Sequence, residues 1–151
     1  MHPEVVPLSH PVDLISAGES HSVYGNSKLG KAWFSGKLKS NSKTLLRAED
    51  VSPIDYFVFD RNGIQDIKSG MNHFLILSGH KVYTFGDEDA GALGCVFKKK
   101  ISRVDFLNPA CINIRNITRI YTSDYGSFVI QKKKSKKVQS EKIFVFGLNN
   151  Y

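Results

Sequence analysis

Ile67-Lys68-Ser69-Gly70-Met71-Asn72-His73, then Leu75-Ile76-Leu77, then Val82-Tyr83-Thr84-Phe85-Gly86 and a closing Gly91-Ala92-Leu93-Gly94, decides the fold, because the chain writes this phrase three times. The earlier copy is Ile15-Ser16-Ala17-Gly18-Glu19-Ser20-His21 with Trp33-Phe34-Ser35-Gly36. The later one is Ile120-Tyr121-Thr122-Ser123-Asp124-Tyr125-Gly126 with Ile143-Phe144-Val145-Phe146-Gly147. Gly18 and Gly70 are 52 residues apart, and Ile67 and Ile120 are 53 apart. A repeat of this period is one supersecondary unit that cannot bury its apolar face alone, so the units must stack or form a ring.

Within each copy the apolar runs are short and carry no long helical stripe. Leu75-Ile76-Leu77 and Phe144-Val145-Phe146 are continuous, as expected of strands covered on both faces. Ser78-Gly79-His80-Lys81 divides two such runs, which predicts a hairpin. The same hairpin recurs as Ser22–Gly25 with Lys31–Phe34 and as Ser127–Ile130 with Ile143–Phe146. Connections are expected over Ser35–Ser42, Asp87–Lys100 and Gln131–Lys142. Gly36, Gly86 and Gly147 follow an aromatic run in every copy, which suits a positive φ or a close strand approach. Small antiparallel sheets repeated radially make a β-propeller. The expected fold is therefore all-β, a partial seven-bladed propeller of four-stranded antiparallel blades, with copies near 12–50, 64–107 and 117–151. The chain stops at Phe146-Gly147-Leu148-Asn149-Asn150-Tyr151, one residue short of the next Gly-x-Leu-Gly turn, so further blades are expected beyond it.

Bulk properties narrow the function. The 151 residues are 41% hydrophobic and 23% charged, with no apolar run near the ~18 residues of a membrane span. Met1–Pro11 holds three prolines and no apolar signal core, so secretion is not expected. Cys95 and Cys111 form neither a disulfide framework nor a zinc spacing, which fits a reducing compartment. A net charge of +7 favours an acidic partner such as nucleic acid or chromatin. The chain has no nucleophile elbow, phosphate-binding glycine loop or metal-ligand pattern, so neither a cofactor nor a small-molecule substrate is expected.

The chain lacks the Gly-Gly doublets of kelch propellers and the Trp-Asp of WD propellers. Its pattern of Ile-x-x-Gly-x-x-His, Val-Tyr-x-Phe-Gly and Gly-x-Leu-Gly resembles the regulator of chromosome condensation repeat, from about Val12 to Tyr151. The order of its copies resembles the branch that acts as a chromatin-bound guanine-nucleotide exchange factor for the small GTPase Ran. Ala17-Gly18-Glu19-Ser20-His21 and Phe146-Gly147-Leu148-Asn149-Asn150-Tyr151 carry that likeness, as does Tyr125 just before the position where the third copy lacks its His.

The resemblance implies specific roles. It places GTPase-facing acidic residues at Glu19 and Asn72; Glu19 keeps the charge and Asn72 does not. It places a projecting β-wedge over Lys37, Leu38, Lys39, Ser40, Asn41, Ser42 and Lys43. An Arg is expected where Lys39 stands, and Lys loses the two-pronged fork of that side chain. It places basic contacts to the nucleosome near Lys98, Lys99, Lys100 and Arg103. It also implies nuclear, chromatin-associated action without covalent chemistry or a membrane. Read without the resemblance, Lys37–Lys43 is a polar loop, and the run Lys132-Lys133-Lys134-Ser135-Lys136-Lys137 is a solvated charge block, an import signal or a DNA-phosphate contact. His21 and His73 recur at equal places, so they read as structural rings bonded to neighbouring backbone. A propeller scaffold that only binds proteins, or an inactive fragment, remains the alternative.

Overall fold

A computed structural model describes residues 2–40, 43–54, 57–86, 91–94, 110–134 and 139–147. The first sheet is a meander of β1 (Leu14–Ala17), β2 (His21–Asn26), β3 (Lys31–Ser40) and β4 (Lys43–Pro53). A short helix, α1 (Phe57–Asn62), leads to the second meander. That sheet contains β5 (Asp66–Ser69), β6 (His73–Ser78), β7 (Lys81–Gly86) and β8 (Ala110–Cys111). The third sheet has β9 (Ile117–Thr122), β10 (Gly126–Lys134) and β11 (Gln139–Gly147) among the described residues. All pairings among the described residues are antiparallel, and β1, β5 and β9 lie side by side as the first strands of successive blades. The structure is thus the nearly all-β blade array that the repeat predicts.

The continuous apolar run of β6 has a simple cause. Successive strand residues point to opposite faces, and both faces of the middle sheet are covered. Phe74 and Ile76 join a core with Val23, Phe34, Leu38 and Ile67 from the first two sheets. Leu75 and Leu77 join Val82, Ile117, Ile120 and Val129 in a second core against the third sheet. Each such side chain contributes about 1.5–3 kcal/mol when fully buried. Ile143 holds in the third sheet the place that Val82 holds in the second. Val82 is fully buried and Ile143 is 67% exposed, because no described residue covers that outer face.

The hairpin turn of the second sheet is Gly79-His80, with φ of 58° and 60° and Ser78 paired to Lys81. Two successive positive φ values are the geometry that matches the twist of a two-residue hairpin. Two connections differ from expectation. β3 runs on through Lys37–Ser40 and returns as β4, and β10 runs on through Lys132, Lys133 and Lys134 to pair with Glu141, Ser140 and Gln139. These segments have the polarity of loops because they are ribbons that project past the sheets, where no apolar alternation is required.

Candidate functional site

The tops of the blades meet at the Gly-x-x-His segments. Gly18 and Gly70 allow this meeting: a Cβ on Gly18 would lie 2.3 Å from Gly70 O, and one on Gly70 would lie 2.5 Å from Ser123 O. Glu19 N–H donates to Met71 O at 3.3 Å, and Met71 N–H donates to Asp124 O at 2.9 Å. Side chains continue the lacing, with Ser69 N–H donating to Ser16 Oγ and Thr122 Oγ1 donating to Ser69 O. Glu19, Met71 and Asp124, at equal positions of the three repeats, therefore surround one open cavity of about 380 Å³. Asp124 was missed in the sequence as a site residue, although its register with Glu19 was the available signal.

Gly36, Gly86 and Gly147 fix how each third strand leaves this rim. Their φ values are 99°, 110° and 104°, and a Cβ would stand 2.2–2.4 Å from the carbonyl oxygens of Ser20, Asn72 and Tyr125. In the first blade the chain then continues upward as the β3–β4 ribbon. Three contacts seat it. Lys37 N–H donates to Ser20 O at 2.7 Å. Leu38 is fully buried in the first core. Lys39 N–H donates to Asn72 Oδ1, in the neighbouring blade, at 2.9 Å. The ribbon is therefore docked across the seam between two blades.

Among the residues singled out in the sequence, Glu19, Lys37, Leu38, Lys39 and Asn72 converge on the ribbon's base, and Ser40 lies on β3. Their tasks differ. Lys39 Nζ stands 3.7 Å from Glu19 Oε2, with side chains 37% and 46% exposed, so solvent screens the pair and it contributes at most ~1 kcal/mol. Asn72 spends its carbonyl on the ribbon's backbone, and Leu38 faces the core and not a partner. Asn41 lies outside the described residues, as do Lys98, Lys99, Lys100 and Arg103.

The two repeated histidines are buried beneath the rim. Burial pushes His21 down to about 4, with a smaller contribution from His73. Burial likewise pushes His73 to about 4, against a smaller upward pull from the Gly126 backbone. Both rings are neutral at pH 7. His73 Nε2 lies 3.0 Å from Ser127 Oγ, which itself donates to Ala92 O at 2.7 Å, so the hydroxyl accepts from the ring. His21 differs from the expected backbone-bonded ring, because neither nitrogen has a partner among the described residues. The second blade presents Phe74 where the third presents Ser127, so His21 stacks on Phe34 at 5.9 Å and meets Phe74 in a tilted contact at 6.0 Å.

No family model matches the chain, and no curated protein does. Solved structures do. Prp20p of Saccharomyces cerevisiae, described with its binding to Gsp1p and histones, is similar with a TM-score of 0.74 at 20% identity. The likeness covers 93% of this chain and 31% of that one. The chain has the fold of RCC1-type propeller blades. Yeast RCC1 (Prp20) bound to Kap60 gives 0.73 at 18% identity, covering 95% of this chain and 31% of that one. Human WBSCR16 gives 0.68 at 12%, covering 94% and 36%. The chain thus spans about a third of the length of these RCC1-like propellers.

Proposed function

We propose that the wedge face of this chain engages a small GTPase of the Ran type, as part of a guanine-nucleotide exchange factor acting on chromatin in the nucleus. The observation that carries this reading is the convergence of Glu19, Lys39 and Asn72, from two blades, at the root of a projecting ribbon. The reported binding of Prp20p to Gsp1p and histones supports the partner classes. No covalent step is needed. A protein that binds the nucleotide-free GTPase more tightly than the loaded form must, by reciprocity, weaken nucleotide binding. A seated ribbon supplies the wedge, and Glu19 supplies a carboxylate for a cation on the GTPase.

The decisive experiment is stopped-flow release of labelled GDP from Ran by the parent chain and by Glu19→Lys. Acceleration that the variant abolishes is expected; no acceleration overturns the exchange reading. A second reading, a scaffold that binds partners without exchange, is favoured by one observation: Asn72 and Leu38 are committed to the chain's own structure. Under that reading Glu19→Lys leaves nucleotide release unaltered because the parent chain does not affect it either.

A further inference from the structure

Among the described residues the blade array has an open face at each end. On the third sheet it is the face turned away from β6. Tyr121, Phe128 and Val145 form one row across the three strands, and Arg119, Ile130 and Ile143 form the next. Tyr121, Ile143 and Val145 are exposed, and Arg119 is paired to Glu141 at 2.9 Å. On the first sheet the open face carries the row Ile15, Tyr24 and Trp33. Ile15 is 68% exposed.

Both faces have covered counterparts inside the array. Phe128, Ile130 and Ile143 hold in the third sheet the places of Leu75, Leu77 and Val82 in the second. Those three are buried against Ile117, Ile120 and Val129. Ile15 and Tyr24 hold in the first sheet the places of Ile120 and Val129 in the third. The chain therefore carries one half of a blade seam on its third sheet and the matching half on its first.

The strand count points the same way. The second sheet has a fourth strand, β8, whose Ala110 and Cys111 pair with Thr84 and Tyr83. Among the described residues the third sheet has no strand beyond β11. Cys111 precedes Ile117 by six residues, and Val6 precedes Val12 by the same six. Val5 and Val6 thus stand where the fourth strand of a preceding blade belongs. Val5 is 94% exposed. The residues that follow are anchored to the first blade, with His10 stacked on Trp33 at 5.8 Å and Asn26 Nδ2 donating to Pro11 O at 2.9 Å. An open sheet edge takes a segment of a second chain as an added strand.

We infer that two copies of this chain join head to tail into one closed ring. The first blade of each copy packs on Phe128, Ile130 and Ile143 of the other. Its Val5 and Val6 pair with Val145 and Phe144 and complete that third sheet. The rim lacing continues across the new seam. Glu19 N–H donates to Met71 O and Met71 N–H to Asp124 O, so Asp124 N–H meets Glu19 O of the second copy. Contacts between unlike faces either close into a ring or run on as a filament. Two copies of three sheets make six blades, within the ~4–8 at which propellers close. The inference does not rest on the exchange reading. The wedge root lies between the first two blades, away from both open faces, so failure of the ring leaves that reading intact.

The test is sedimentation velocity of the whole chain in a concentration series up to roughly 100 μM. The expected species has twice the chain mass. Ile15→Lys and Ile143→Lys, both at exposed positions, should each raise its dissociation constant at least about 100-fold, because each puts an unpaired charge into both seams. Removing residues 1–7 should raise it at least about 10-fold by taking away the donated strand. Far-UV circular dichroism of all three should match the parent, which separates lost docking from a folding defect. The inference is overturned by a single-chain mass throughout, or by a series of ever larger species. It is overturned equally by a two-chain species that Ile15→Lys or the truncation leaves intact, since that species would join third blade to third blade.

Discussion

Acidification should destabilise this fold well above the range in which carboxylates protonate. His21 and His73 are each held at about 4 in the folded chain, against 6.5 for the free side chain. A base whose folded value lies below its unfolded value binds protons first in the unfolded state. Its stability contribution is therefore complete above about 6.5 and is lost as pH falls from there towards 4. At about pH 5 the fall below 6.5 is some 1.5 units, worth about 2 kcal/mol per ring and about 4 for both. That is a large share of the ~5–15 kcal/mol that holds an ordinary domain. Asp13, held below the usual carboxylate range by its Ser27 hydrogen bonds, acts in the same direction only at lower pH. The assay is urea unfolding followed through buried Trp33 at about pH 7 and pH 5, for the parent, His21→Gln and His73→Gln. Each single variant should lose about half of the pH dependence. Equal midpoints at the two pH values in the parent, or a folded-state NMR titration of either ring near 6.5, would refute the reasoning.

Gly70→Ala should cost about 2–3 kcal/mol by overpacking, read as a lowered urea midpoint, because the new methyl would meet Ser123 O across the seam. Asn72→Ala should remove about 1 kcal/mol and speed hydrogen exchange at the Lys39 amide, while the Lys37 amide, bonded to Ser20 O, stays protected. Under the exchange reading, that variant should slow nucleotide release more than it weakens GTPase binding, because it frees the wedge without removing Glu19.

The fold was legible in the sequence because each copy carries its own constraint. Gly36, Gly86 and Gly147 stand where any Cβ would strike a neighbouring carbonyl, so the repeat had to keep glycine. Leu75-Ile76-Leu77 had to be apolar throughout, because a blade lies on each side of β6. The β3–β4 and β10–β11 ribbons were harder to read, since strands outside the sheets lose the alternation that marks strands. Leu38, inside a basic segment, was the trace of the first ribbon's docking, and its burial became evident only with the neighbouring blade in place.

The sequence by itself determined the repeat, the blade and the residues that vary on it, since these follow from local sterics and two-residue periodicity. Only the tertiary structure decided what those variable residues do. Glu19, Lys39 and Asn72 are separated by up to 53 positions, and the partner that each one meets is set by how one blade leans on the next. The same holds for His21 and His73, alike in motif and buried alike. One packs against a phenylalanine and the other bonds a serine, because the adjacent blade supplies a different neighbour to each.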